Sequence, residues 1–403
     1  MKICLVIPPY LPVPAVKGGA VETLAEELIK LNETIGNLEI DCVTLEDNEA
    51  RNQYSKYTKT NFLSFEFKND KLTNFLCRVV SFVSKHFFKN IVDLKRIIIS
   101  NEYKKLINSK EYDFIISEGV NYYLLPTAIK NIEKNKLILH LHKVTEPTIE
   151  FEEEYGNFIS ISEFVSNRFN QKDMIKKDRI YTVYNGIDLK KFERELSSYE
   201  KKELKNKYGI KDNELVFLYT GRLLPMKGVK ELIQAFKKAN CKTKSKLMIV
   251  GAAVSGSNND TEYTLELKKI AQNENVIFTG YISNDELYKY YKISDIAVFP
   301  TIGEEGFGLV AVEAMHCGLP LIVTNSGGLV EVATDDCALK VENDENIVEN
   351  LATKIDYLYK NDKLRKSMGQ AAYENSKKFS SEQYYKNYIE VLKKIQKKED
   401  NIN

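Results

Sequence analysis

Two carboxylates, Glu305 and Glu313, stand eight positions apart in the stretch "EEGFGLVAVEAM", separated by Gly306-Phe307-Gly308. The strand-like run "DIAVFP" ends just before it at Pro300, and an apolar helix is expected from near Phe307. Glu305 then projects from a loop, and Glu313 lies about two turns inside the helix. Between them the helix N-terminus offers amides with no intrahelical acceptor, which attract anions and phosphates in particular. A carboxylate on either side of such a platform can accept hydrogen bonds from sugar hydroxyls. Complementing the helix dipole would account for Glu304 and Glu305. It gives no reason for Glu313 in an otherwise apolar helix.

Cations occur where an anion would need them. In "LVFLYTGRLLPMKGVKELIQAF" a strand ends at Gly221, Arg222 follows, and Lys227-Gly228 opens an amphipathic helix. A planar guanidinium and a compact ammonium beside helix amides suit a diphosphate. A weaker signal of the same kind is "KGGAVETL", where Gly18 and Gly19 let backbone approach an anion or a sugar before a helix. His140 and His142 alternate with leucines in "KLILHLH", so both face one side of a strand, with His142 nearer its carboxyl end. His86 and His316 read as structural.

Such groups need a frame that gathers strand ends and helix starts. Short apolar runs alternate with amphipathic stretches, the pattern of βαβ units and a parallel sheet. The runs are "KICLVIP", "IDCVTL", "DFIIS", "KLILHLH", "NFISIS" and "RIYTVYN", then "LVFLYTG", "KLMIVGA", "VIFTGYI", "DIAVFP" and "PLIVTNS". In "AVETLAEELIKLN", Val21, Leu24, Ala25, Leu28 and Leu31 share a helical face. With 403 residues, two doubly wound domains are expected. One spans 1–186 and the other 187–379, with a hinge near "NGIDLKKF". A helix from about 380 to 403 is expected to pack back on the first, and a ligand cleft between the domains follows from the architecture.

A formal charge of +1 argues against a protein built chiefly to hold nucleic acid. The six cysteines lack paired metal-ligand spacing and read as buried reduced thiols of a cytoplasmic protein. The N-terminal apolar run is too short for a signal peptide, and no run approaches a membrane span. Residues 75–107 combine large apolar residues with Arg78, Lys85, Lys89, Lys95, Arg96, Lys104 and Lys105. That composition suits either a pair of sheet-covering helices or peripheral contact with an anionic membrane.

In order and at suitable distances, "KGGAVE", "LHLHK", "ISISEFV", "VYNGIDLKKF", "GRLLPMKG", "VIFTGYI" and "DIAVFPTIGEEGFGLVAVEAMHCGLPLIVTNSGGLVEV" resemble the retaining glycosyltransferases of family 4. The resemblance spans nearly the whole chain. It implies the GT-B fold, two facing Rossmann-like domains with a cleft between them. It further implies that Glu313 binds the ribose hydroxyls of a nucleotide. Glu305 would sit by the transferred sugar, with the backbone of Gly306, Phe307 and Gly308. Arg222 and Lys227 would neutralise the donor diphosphate, aided by amides at Leu309 and the Gly18-Gly19 loop. The backbone at Tyr281 and Ile282 would meet the base, and His142 would serve at the reaction centre. The family carries Asp, Asn or Gly after that histidine, where Lys143 stands here, which leaves His140 open as the alternative.

The expected activity is retaining, metal-independent transfer of a hexose-type sugar from a nucleotide-diphosphate sugar, UDP-sugar favoured, with no further cofactor. The acceptor is a hydroxyl on a glycan, lipid-linked or protein molecule, in cell-surface polysaccharide or glycoconjugate synthesis. No aspartate pair at a strand end offers a metal cage; Asp335-Asp336 follow a helix. Rival readings are an inactive glycan-binding partner subunit, which should have lost Glu305, Arg222 or Lys227, and a nucleotide-sugar epimerase, which would not need the two-glutamate platform. A glycan phosphorylase needs a pyridoxal-bearing lysine and a longer chain. A retaining glycosidase needs carboxylates about 5 Å apart, for which no partner is evident.

Overall fold

The computed structural model describes residues 1–66, 94–119, 129, 132–254, 256–272 and 274–400. It divides into two units, Met1–Gly186 with Ser381–Asn403, and Ile187–Ser380.

The first unit is a seven-stranded sheet, all parallel, in the order β3-β2-β1-β4-β5-β6-β7. Its strands are β1 (Lys2–Val6), β2 (Glu39–Leu45), β3 (Thr60–Phe65), β4 (Phe114–Glu118), β5 (Leu137–Leu141), β6 (Asn157–Ser160) and β7 (Ile180–Thr182). The central strands are buried along nearly their whole length, so they read as apolar runs without alternation. Strand β3 escaped the sequence reading because "TNFLSF" lies on the sheet edge, half-exposed and mixed in polarity.

Helix α1 (Ala20–Ile35) buries Leu24, Ala25 and Leu28 as its periodicity predicts. The buried stripe continues through Ile29 and Asn32, whereas Val21 and Leu31 stay partly exposed. Asn32 is kept inside by its hydrogen bonds: its amide donates to Leu38 O at 3.0 Å and its carbonyl accepts from Leu38 N at 3.0 Å. The C-terminal helix (Ser381–Asp400) returns to this unit, and Tyr385 Oη donates to the same Asn32 carbonyl at 2.9 Å. Tyr384, Tyr388, Leu392 and Ile395 complete the core around Ile3, Leu5, Leu28 and Ile29. Helix α2 (Leu94–Ile107) is the described part of the basic segment; residues 75–93, with Arg78, Lys85 and Lys89 of the membrane reading, lie outside the described residues. No helix among the described residues is long and apolar enough to cross a membrane.

The second unit is a six-stranded parallel sheet in the order β10-β9-β8-β11-β12-β13. Its strands are β8 (Leu215–Thr220), β9 (Ser245–Val250), β10 (Val276–Gly280), β11 (Ile296–Phe299), β12 (Leu321–Thr324) and β13 (Ala338–Val341). The sequence reading missed β13, whose four residues carry only a weak apolar run. The order turns outward in both directions from β8 and β11. In open parallel sheets that switch point, at the carboxyl ends of the strands, is where ligands bind. Helix α3 (Val229–Lys238) covers the sheet with Val229, Leu232, Ile233, Ala235 and Phe236. Helices α4 (Asn284–Lys292) and α5 (Leu309–His316) lead into and out of β11.

Candidate active site

The loops leaving β8 and β11, the two strands that flank the switch point, carry Arg222, Lys227 and Glu305. They are tied to each other through backbone: the amides of Ile302 and Gly303 both donate to Met226 O, at 3.0 and 2.9 Å. Pro225–Lys227 forms one 3-10 turn, and Gly228 then takes a left-handed conformation (φ 68°) to start α3. A Cβ on Gly228 would stand 1.8 Å from Pro300 O, so only glycine allows this contact. Gly228→Ala is therefore expected to cost on the order of 3 kcal/mol, combining left-handed strain with a backbone clash. Gly18→Ala is the control, since its φ is 74° but nothing lies within 4 Å of its Cβ position. A thermal midpoint for Gly228→Ala as high as that of Gly18→Ala would contradict this packing.

Lys227 Nζ forms an ion pair with Glu305 Oε2, both side chains being mostly buried. Residues that the sequence assigned separate tasks thus hold each other. Arg222 is exposed, and its guanidinium makes no hydrogen bond or ion pair to a described residue. Its carbonyl accepts from Tyr219 Oη at 2.9 Å, which fixes the backbone from which it projects.

The Glu305 loop is held from behind. Gly328 N donates to Glu305 O at 2.7 Å, Ser326 Oγ donates to Gly303 O, and Thr324 Oγ1 donates to Thr301 O at 2.5 Å. Phe307 is buried, its ring 5.5 Å from that of Phe379. Gly308 has φ 99° and stands outside the helix, so α5 begins at Leu309, two residues later than its apolar pattern predicts. Gly308 has no side chain to cap α5; the Ala311 amide donates to Gly308 O at 2.9 Å, and no side chain caps the Leu309 amide.

Glu313 is reached by a hydroxyl relay that the sequence did not reveal. Tyr291 Oη, on α4, donates to Glu313 Oε2 at 2.7 Å and lies 2.7 Å from Thr220 Oγ1 at the end of β8. A phenol has one proton, so Thr220 supplies the proton of the second bond. Burial pushes the Glu313 carboxyl up to about 7, against the Tyr291 hydrogen bond and the Lys191 ammonium.

Tyr281 and Ile282 follow Gly280 at the end of β10 and are partly exposed. Gly221, Gly251 and Gly280 sit side by side at the ends of β8, β9 and β10, with Gly221 N on Val250 O and Gly251 N on Gly280 O, each 3.0 Å. The Tyr281 amide is already taken by Asn258 Oδ1 at 2.6 Å.

In the first unit, Gly18 and Gly19 (φ 74° and 99°) precede α1, with Gly19 at its cap position. A Cβ on Gly19 would meet the Glu22 carboxylate at 2.1 Å. His140 ends up fully buried in β5, whereas His142 lies just beyond the strand and is partly exposed. Both reach the same oxygen, Glu118 Oε2: His140 Nδ1 at 2.9 Å and His142 Nε2 at 2.7 Å. Tyr388, from the C-terminal helix, donates to Glu118 Oε1 at 3.4 Å. The sequence reading missed Glu118, although a lone carboxylate ending the apolar run "DFIISE" was a usable signal. Ligand atoms of Glu118, His140 and His142 lie within 4.8 Å of one another, close enough for a metal ion. As they stand, their hydrogen bonds account for the arrangement. Asp335 is paired with Lys340 at 2.8 Å.

Residues 200–375, which contain Arg222, Lys227, Glu305 and Glu313, match the family described as glycosyl transferases group 1. Over that span the chain is similar to glycosyl transferases group 1. An uncharacterized glycosyltransferase of Methanocaldococcus jannaschii is 35% identical over 174 residues, 43% of this chain and 42% of that protein. The chain spans about half the length of most of the curated relatives it matches first. A solved glycosyltransferase from Rickettsia africae superposes with a TM-score of 0.76 at 21% identity, covering 98% of both chains. HepE of Anabaena, solved in complex with UDP and glucose, gives a TM-score of 0.70 at 18% identity, covering 98% of this chain and all (100%) of that one. At such identities the likeness establishes the fold, which is that of the GT-B glycosyltransferases.

Proposed function

We propose that this chain is a retaining glycosyltransferase that moves a hexose-type sugar from a nucleoside-diphosphate sugar, UDP favoured, to a hydroxyl acceptor without a metal. The observation that carries the reading is the assembly at the switch point of the second unit. Arg222, without a hydrogen bond or ion pair to a described residue, leaves the end of β8, the Lys227–Glu305 pair joins the loops after β8 and β11, and α5 starts there without a side-chain cap, its Glu313 held by Tyr291. Transfer from such a donor requires stabilisation of the charge that develops on the departing diphosphate. Fixed cations and helix amides do this without reorganising when the reaction occurs. Arg222 and Lys227 take the phosphate oxygens with the Leu309 amide. Lys227 keeps its pairing with Glu305 as it takes phosphate, which orients Glu305 toward the sugar with the Gly306–Gly308 backbone. Glu313 accepts from the ribose, and His142 serves at the reacting sugar. The UDP and glucose held by HepE support the choice of donor.

The test is turnover in EDTA with the product's anomeric configuration read by NMR. The expected result is undiminished transfer with retention. An inverted product, or activity lost in EDTA and restored by manganese or magnesium, would overturn the proposal.

The Glu313 environment adds a pH dependence. Accepting two ribose hydroxyls requires the carboxylate, and the free carboxyl titrates near 7. Nucleotide affinity should therefore be flat above pH 7 and weaken about tenfold per unit well below it. Calorimetric titration with UDP at pH 5.5, 6.5 and 8 checks this. An affinity that rises on acidification would contradict the role of Glu313.

A further inference from the structure

We infer that Glu118 is the positioning residue for His142, holding the ring through Nε2–H so that Nδ1 is the nitrogen left to accept a hydrogen bond from a substrate hydroxyl. The inference rests on the reading of His142 as a reaction-site residue. Glu118 and His140 are register partners on β4 and β5, so their contact is fixed by the sheet, and His142 follows two positions along. An ionised carboxylate only accepts hydrogen bonds, so each ring nitrogen facing Glu118 Oε2 must carry its proton. Burial opposes ionisation of Glu118, but the two histidines outweigh it and hold this carboxyl well below the usual range. Burial, with the neighbouring His140, pushes His142 down to about 4, so its ring is neutral at physiological pH. A neutral ring with its proton on Nε2 presents a bare lone pair at Nδ1.

The surroundings hold this orientation from several sides. The two imidazoles stand 4.1 Å apart at an interplanar angle of 42°, so His140 backs the His142 ring. Gly119 (φ 81°) follows Glu118, and a Cβ there would lie 3.3 Å from His142 Cδ2. Tyr388 fastens the other carboxylate oxygen from a helix at the far end of the sequence. Moving the proton to Nδ1 would leave Glu118 facing an unprotonated Nε2.

Histidine-selective 15N labelling of the full chain reads the tautomer through the ring couplings. The expected signal for His142 at pH 7 is a protonated Nε2 and a bare Nδ1. In Glu118→Gln that preference is expected to collapse to a mixture, with kcat reduced about tenfold or more and KM for the nucleotide sugar little changed. A wild-type His142 protonated on Nδ1, a folded Glu118→Gln protein with unaltered kcat, or one equivalent of zinc bound by the purified chain would each overturn the inference. The wild-type spectrum needs no variant and no turnover. Absence of transfer with every nucleotide sugar would instead sink the proposed function, leaving the ring assignment to its own signal.

Discussion

Lys227→Ala is expected to lower turnover about a hundredfold or more in a protein that remains folded, the usual cost of removing a fixed charge from a developing oxyanion. Lys227 stands at the close of a 3-10 turn that Gly228 and two backbone hydrogen bonds from Ile302 and Gly303 lock against the end of β11. Its ammonium is therefore placed before any donor arrives. In the free chain it is neutralised by Glu305, and alanine would leave that carboxylate unpaired but still reached by water. The stability cost should accordingly be small beside the kinetic one. Single-turnover rates, with folding checked by circular dichroism, decide the matter. Near-normal turnover of folded Lys227→Ala would remove the cation from the mechanism.

Glu305→Ala is expected to lose about as much, and the combination is more informative than either alone. Because Lys227 and Glu305 pair directly, they act as one unit, and such units are strongly non-additive. Two independent hundredfold effects would multiply to about ten-thousandfold, whereas the double variant should be about as slow as the slower single variant. A fully multiplicative double variant would mean that the ion pair has no part in the reaction. The carboxylate would then be acting on the sugar independently of the lysine.

The fold was legible because its central strands are continuous apolar runs and its loops carry glycines where backbone must turn. Lys227, Glu305 and Glu313 were found from local spacing, since strand, loop and helix follow one another within a few residues. Their pairing was not, because Lys227 and Glu305 lie 78 positions apart and meet only through the adjacency of β8 and β11. The relay from Thr220 through Tyr291 to Glu313 joins three elements, and nothing local marks Tyr291 among 24 tyrosines. Tyr388 reaches Glu118 across 270 positions, which no local pattern can report. Strands β3 and β13 were missed for a different reason, being short or on an edge, where burial imposes little pattern.

On the proposed function, this chain is expected to cleave a nucleoside-diphosphate sugar at the anomeric bond. The most direct measurement is release of the nucleoside diphosphate from a panel of nucleotide sugars by the purified chain, compared with Lys227→Ala. The expected result is slow release of UDP from at least one UDP-hexose by the wild type, abolished in the variant. Equal release by both proteins, or no release and no thermal shift with any donor in the panel, would contradict it.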